Sequence, residues 1–120
     1  MTILLKRAYE APRKDDGFRI LIDRIWPRGV SKEAAKIDLW FKDISPSTPL
    51  RKWFSHDPIK WDKFKERYIE ELNNNSEVVK EFMRLLREHK SVTFVYGAKD
   101  TEHSQAPILK EYIEKRLKEL

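Results

Sequence analysis

Two short stretches of this chain carry residue types that chemistry needs and folding alone does not. The first is Asp23-Arg24-Ile25-Trp26-Pro27-Arg28-Gly29, where an apolar run ends in two guanidinium groups, a carboxylate and an indole. The second follows the apolar run Val92 to Tyr96 and contains Lys99, Asp100, His103 and Ser104. Arginine and lysine hold phosphates and carboxylates, an indole stacks on a ring or base, and histidine exchanges a proton near neutrality. Such a set describes a site for a small anionic or nucleotide-like ligand. Arg24, Arg28 and Lys99 would supply charge, Trp26 a stacking wall, and Asp23 and Asp100 the orientation of the basic groups. A catalytic version would add His103 as general acid or base, with Asp100 acting on substrate or water.

Those two stretches must be brought to one edge. The consecutive apolar residues Ile20-Leu21-Ile22 suit a strand covered on both faces, as in α/β folds, and the pattern predicts a strand over Arg19 to Ile25 that Pro27 ends. Extended geometry to Ile25 would put Arg24 and Trp26 on one face and Asp23 on the other, beside Leu21 and Ile25, where a buried carboxylate needs a partner. Val92 to Tyr96 predicts a similar strand, stopping at Gly97-Ala98. If the two lie parallel and adjacent, their carboxyl ends meet where open α/β sheets bind ligands. The loop after Tyr96 leads into a helix N-terminus, a place for an anion. Ser104 stands where a cap of that helix is expected.

The remaining elements follow from periodicity and punctuation. Ile3 to Lys6 reads as a first strand, and Ala11 to Gly17 carries turn chemistry. Ser31 is placed to cap a helical turn, and Ile37 to Phe41 suits either a strand or a buried loop. Ser47 is an N-cap for a helix presenting Leu50, Trp53 and Phe54. Asp57 before Pro58 caps the next, whose stripe is Trp61, Phe64, Tyr68 and Leu72. His56-Asp57 has the look of a metal-dependent phosphohydrolase pair, but Pro58 makes the Asp57 side chain a cap. Asn73-Asn74-Asn75 ends that helix and Ser76 is expected to cap the following one. A final helix carries Ile108, Leu109, Tyr112, Ile113, Leu117 and Leu120. The reading is one α/β domain over residues 1–120, a small and largely parallel sheet of about three or four strands flanked by helices.

Composition narrows the classes. The 120 residues suffice for one core, and 25 Lys plus Arg against 20 Asp plus Glu leave a formal charge of +5. Acids interleave with the bases on the helices, as on a solvated, ion-paired face. The chain has no cysteine, which removes disulfides, thiolate metal sites and cysteine nucleophiles. Three histidines without His-x-x-His or His-x-x-x-His spacing suggest no metal centre, and no cofactor is implied. The apolar N-terminal run Ile3-Leu4-Leu5 is too short for a signal sequence or a membrane span, so the expected location is cytoplasmic.

The motifs taken together, Asp23-Arg24-x-Trp26-Pro27-Arg28-Gly29, Asp38-x-Trp40, Ser45-Pro46-Ser47, Leu50-Arg51-x-Trp53-Phe54-x-His56-Asp57, Tyr68 with Glu71-Leu72, and Ala98-Lys99-Asp100, span nearly the whole chain. They resemble the YeaO-like branch of the domain-of-unknown-function family number 488. The resemblance implies a small bacterial or archaeal α/β domain and supplies no reaction. Ser104 and Gln105 stand where the resemblance leads one to expect Asn and His. Members of the wider family have a Cys-His-Arg-like motif near the position of Lys99-Asp100, and thiol chemistry there does not transfer to a chain without cysteine.

Two other function classes compete. A nucleic-acid-binding protein would show a continuous basic surface and salt-sensitive affinity. A structural or protein-interaction module would use an exposed Trp26 or Trp53 as its anchor. A third outcome is purely structural: the arginines at the strand ends pair with Asp23, Asp38 or Asp100 and brace the loops.

Overall fold

The computed structural model describes residues 1–119, so the expectation for Leu120 lies outside the described residues. Strands β1 (Thr2–Arg7), β2 (Phe18–Leu21), β3 (Leu39–Trp40) and β4 (Ser91–Tyr96) form one sheet in the order β1-β4-β2-β3, and every pairing is parallel. Helix α1 (Lys32–Ala35) joins β2 to β3. Helices α2 (Thr48–Phe54), α3 (Trp61–Asn74) and α4 (Ser76–Leu86) lead from β3 to β4, and α5 (Gln105–Lys118) closes the chain. β4 is central and buried from Val92 to Tyr96, which is why its sequence has no polar alternation.

The two faces of the sheet are unequally covered. One face, with Ile20, Ile22, Val92 and Phe94, packs on Leu50, Phe64, Tyr68, Phe82, Ile108 and Ile113 from the four longer helices in the main core. The stripe at helical spacing on α3 is core, as its period suggests, with Phe64, Tyr68 and Leu72 buried and Trp61 half-buried. The other face is thinner: Ala8, Leu21 and Val95 are roofed only by Trp26, Val30, Ile37 and Trp40. Beside them lies a closed polar cluster. The Asp16 carboxylate receives Lys6 Nζ at 2.8 Å, Arg19 Nη1 at 2.6 Å and the Arg13 N–H at 2.9 Å. Arg19 spends its remaining reach on the Ala35 carbonyl, at 3.2 Å and 2.9 Å, and so ties β2 to α1. Burial pushes the Asp16 carboxyl up, but the hydrogen bonds from Lys6, Arg13 and Arg19 outweigh it and hold the group below its ordinary value.

Three local expectations are corrected. β2 does not run to Ile25: regular pairing ends at Leu21, the Ile22 N–H still reaches the Val95 carbonyl at 3.0 Å, and the chain then bends at Arg24 and Ile25. The alternation drawn through that segment therefore fails, and Trp26 packs in the same cluster as Leu21 rather than opposite it. Ser76 is the first residue of α4 and not its cap, because Asn75 holds that position without a side-chain bond. Ser104 occupies the N-cap position of α5 but caps nothing. Its usual targets are the N2 and N3 amides, and N3 is Pro107, which has no N–H.

Candidate functional site at the carboxyl edge of the sheet

β4 feeds into α5, which packs back over β1 and β4, whereas β2 feeds towards β3 on the opposite side. Chains leaving two neighbouring strands in opposite directions open a crevice at their carboxyl ends, the topological switch point of an open parallel sheet. Asp23 and Arg24 emerge there from β2.

Past the end of β2 the side chains of Asp23 and Arg24 take separate partners. Asp23 turns towards β4 and α5: Oδ2 accepts the Gly97 N–H at 2.8 Å and Oδ1 accepts the Gln105 side-chain amide at 2.6 Å. The carboxyl is half-buried and forms no ion pair among the described residues. Its burial pushes the pKa up to about 6. The bonds from Gly97 and Gln105 and the more distant positive charge of His56 and Arg51 only partly oppose this.

Arg24 turns the other way, towards the turn between β3 and α2. Its Nε donates to the Pro46 carbonyl at 3.2 Å and its Nη2 to the Ser45 carbonyl at 3.3 Å. These contacts use two of the five guanidinium N–H donors, and no carboxylate among the described residues forms an ion pair with it. Arg24 lines a cleft of about 320 Å³ together with Asp43, Ser45, Ser47, Tyr68, Glu71, Leu72, Asn74 and Asn75. Glu71 holds Ser47 by both its N–H (2.9 Å) and its hydroxyl (2.5 Å), while that hydroxyl accepts the Leu50 N–H as the cap of α2 at 3.3 Å. On the floor, the Tyr68 hydroxyl donates to the Ile44 carbonyl at 2.6 Å. Burial first, then the charges of Glu71 and Asp23, keep that phenol well above its ordinary value, so it remains a donor.

The β4–α5 loop is organised by Asp100. One carboxylate oxygen accepts the N–H groups of Glu102 and His103, each at 2.9 Å, and the other meets His103 Nδ1 at 2.9 Å. The His103 N–H bond is the main reason the Asp100 carboxyl lies below its usual value. The imidazole sits edge-on to Trp61, with centroids 5.6 Å apart, and the Trp61 indole donates to the Ser104 carbonyl at 3.4 Å. The Ser104 hydroxyl itself is buried and has no partner.

A family model described as the inactive DUF488-N3 subclade matches residues 2–120. The chain belongs to this family. It is 36% identical over 113 residues to Uncharacterized protein YeaO of Escherichia coli K12, a match covering 94% of this chain and 97% of that protein. It is also 36% identical over 114 residues to Uncharacterized protein Rv3073c of Mycobacterium tuberculosis H37Rv, covering 95% of each. No solved structure matches. Within this DUF488 domain no helix among the described residues is long and apolar enough to cross a membrane.

The edge brings some of the singled-out residues of this DUF488 domain together and separates others. Asp23 meets the β4–α5 loop at Gly97 and the start of α5 at Gln105, and Asp100 and His103 form one pair on that loop. Arg24 is turned away from them, and Lys99 is exposed and absent from the Arg24 cleft. Trp26 is half-buried, its indole N–H donating to the Val30 carbonyl at 2.6 Å and its ring edge-on to Trp40. Arg28 is exposed, and its carbonyl accepts the Tyr9 hydroxyl at 3.0 Å. The arginines do not pair with Asp23, Asp38 or Asp100. Asp38 instead accepts the Arg19 N–H at 2.8 Å. Trp53 lies between Arg67, 4.1 Å from its ring centroid, and Lys60, at 5.2 Å, and packs on the main core.

The sequence reading missed the other walls of the cleft, Glu71, Asn74 and Asn75, and the Gln105 partner of Asp23. A signal was present. Tyr68, Glu71 and Leu72 fall at helical spacing on one face of α3, Asn75 follows its end, and Ser45-Pro46-Ser47 is the turn that face meets. Among the described residues no group of three or more His, Cys, Asp or Glu side chains is disposed to hold a metal ion.

Proposed function

We propose that this protein is a non-catalytic binding domain that takes a small anionic or nucleotide-like ligand at the carboxyl edge of its sheet, with Arg24 as the group that receives the anion. One observation carries the reading: a half-buried guanidinium lines an open cleft with three of its five N–H donors unspent and no carboxylate paired to it. Arg19, by contrast, is neutralised by Asp16. The two carbonyl contacts hold the planar fork in place, so little side-chain entropy is lost when a carboxylate or phosphate docks on it. Arg28 and Lys99, exposed on the loops after β2 and β4, add positive field at the same edge. The absence of a catalytic role is supported by the family description as inactive.

Thermal unfolding against inorganic phosphate, small carboxylates, sugar phosphates and nucleoside monophosphates tests the reading. One class should raise the midpoint, increasingly with concentration as mass action requires. The rise should be lost in Arg24→Ala, with far-UV circular dichroism unchanged. If no class raises the midpoint, or if Arg24→Ala responds as the wild type does, the reading is wrong.

A further inference from the structure

The Arg24 cleft carries both signs of charge, and they are not spent on each other. Glu71 lines it and forms no ion pair among the described residues. Its two oxygens each accept one bond from Ser47, which leaves about half of a carboxylate's four acceptor positions open. Asp43 lines the same cleft, is exposed, and forms no ion pair among the described residues. Arg24 forms none either. A simple anion placed on Arg24 would lie in the field of two carboxylates, and a simple cation placed on Glu71 would lie in the field of a guanidinium. A molecule with one charge of each sign satisfies both walls and meets neither repulsion.

We propose that the ligand of this cleft is a small zwitterion, an amino acid or a similar amino-carboxylate, with its carboxylate on Arg24 and its ammonium on Glu71 and Asp43. This rests on the reading of Arg24 as an anion receptor and narrows it. Size points the same way. The volume of about 320 Å³ stands at the lower end of ligand pockets, roughly 300–1,000 Å³, which suits an amino acid better than a nucleotide. Tyr68 and Leu72, both almost fully buried, close the inner wall of the cleft, and the amides of Asn74 and Asn75 supply neutral donors and acceptors at its border.

The test is isothermal titration of the full chain with the twenty amino acids, followed by the deaminated and decarboxylated analogues of whichever binds most tightly. The amino acid should bind at least about tenfold more tightly than either analogue. Asp43→Asn and Glu71→Gln should shrink that preference while leaving affinity for the deaminated acid equal or higher. Gln at position 71 can still accept the Ser47 N–H and donate to its hydroxyl, so the fold is kept. If the deaminated acid binds as tightly as the amino acid, the zwitterion is wrong and the anion site stands. If phosphates or nucleotides bind and no amino acid does, the inference falls in the same way. If nothing binds, both readings fall together.

Discussion

Asp16-Arg19 and Asp23-Arg24 are two acid–base pairs close in sequence, and the fold uses them in opposite ways. On the thin face Asp16 and Arg19 are both almost fully buried, 1% and 4% exposed, and they lie against each other at 2.6 Å with Lys6 as a third member. At the carboxyl edge Asp23 and Arg24 are adjacent in sequence, yet each bonds only neutral partners and faces away from the other. The reason is local geometry. Asp16 lies in the turn that precedes β2 and can fold back onto Arg19, whereas the chain after β2 bends and turns Asp23 towards Gly97 and Gln105 and Arg24 towards Ser45 and Pro46. A closed cluster ties a fold together because its buried carboxylate is matched by cations that would be stranded without it. An open one leaves an unneutralised carboxyl and an unneutralised guanidinium at the place where parallel sheets bind ligands.

The largest effect that could break this comparison is on stability. Asp16→Asn leaves Arg19 buried with its main counter-charge gone, and breaking such a pair costs about 3–5 kcal/mol. Arg24→Ala removes two contacts to backbone carbonyls from a half-buried site and should cost only about 1 kcal/mol. Urea unfolding of the two variants at neutral pH measures both. Equal losses would mean that Arg24 is as structural as Arg19, and the case for a receptor at the edge would go with the comparison.

The difference between these pairs marks the limit of what the chain's residue types convey. The α/β architecture was legible because Ile20 to Ile22 and Val92 to Tyr96 are unbroken apolar runs and Phe64, Tyr68 and Leu72 recur at helical spacing. Both signals report burial, which local pattern carries well. The edge was legible as a place and not as an arrangement. Where Arg24 points depends on the bend after Ile22, which ends the strand before Pro27 does, and no periodicity encodes that bend. Gln105 as the partner of Asp23 follows from the start of α5 meeting the segment after β2, a contact across 82 positions. Trp26 looked like a stacking wall because indoles beside arginines often are. The thin cover of one sheet face recruits it instead as roof.

The two carboxylates also titrate in different windows, and with opposite signs. Asp23 has a folded value of about 6 against 3.8 in the unfolded chain, so between those values the folded state binds more protons. Its contribution is fully present below about 3.8 and is lost as pH rises to about 6. At roughly 1.36 kcal/mol per unit the loss is at most about 3 kcal/mol. Asp16 lies below its ordinary value, so its contribution is present above the unfolded value and disappears only as pH falls further. Denaturant midpoints across pH 3 to 8 should therefore decline through the upper window in the wild type and stay flat there in Asp23→Asn. The variant should fold, since its carbonyl can take the Gly97 N–H while its amide donates to a flipped Gln105. A decline that persists in Asp23→Asn would assign it to another group and remove the distinction between the two acids.

The smallest effect concerns Ser104, a buried polar group at the open edge with no counterpart in the closed cluster. Thr93, equally buried on the thin face, gives its hydroxyl to the Asp16 carbonyl at 2.6 Å, so Thr93→Val should cost about 1 kcal/mol. The Ser104 hydroxyl has no partner among the described residues: Pro107 at N3 has no amide to give, and the Ala106 amide at N2 makes no bond to it. Ser104→Ala deletes an unsatisfied group and nothing else, and it should leave stability unchanged or raise it by up to about 1 kcal/mol. Thermal unfolding of the two variants in one buffer compares them directly. A loss in Ser104→Ala as large as that in Thr93→Val would mean that the hydroxyl is satisfied in solution by an ordered water. The edge would then be as fully bonded as the thin face at this position, and only Asp23 and Arg24 would still set the two regions apart.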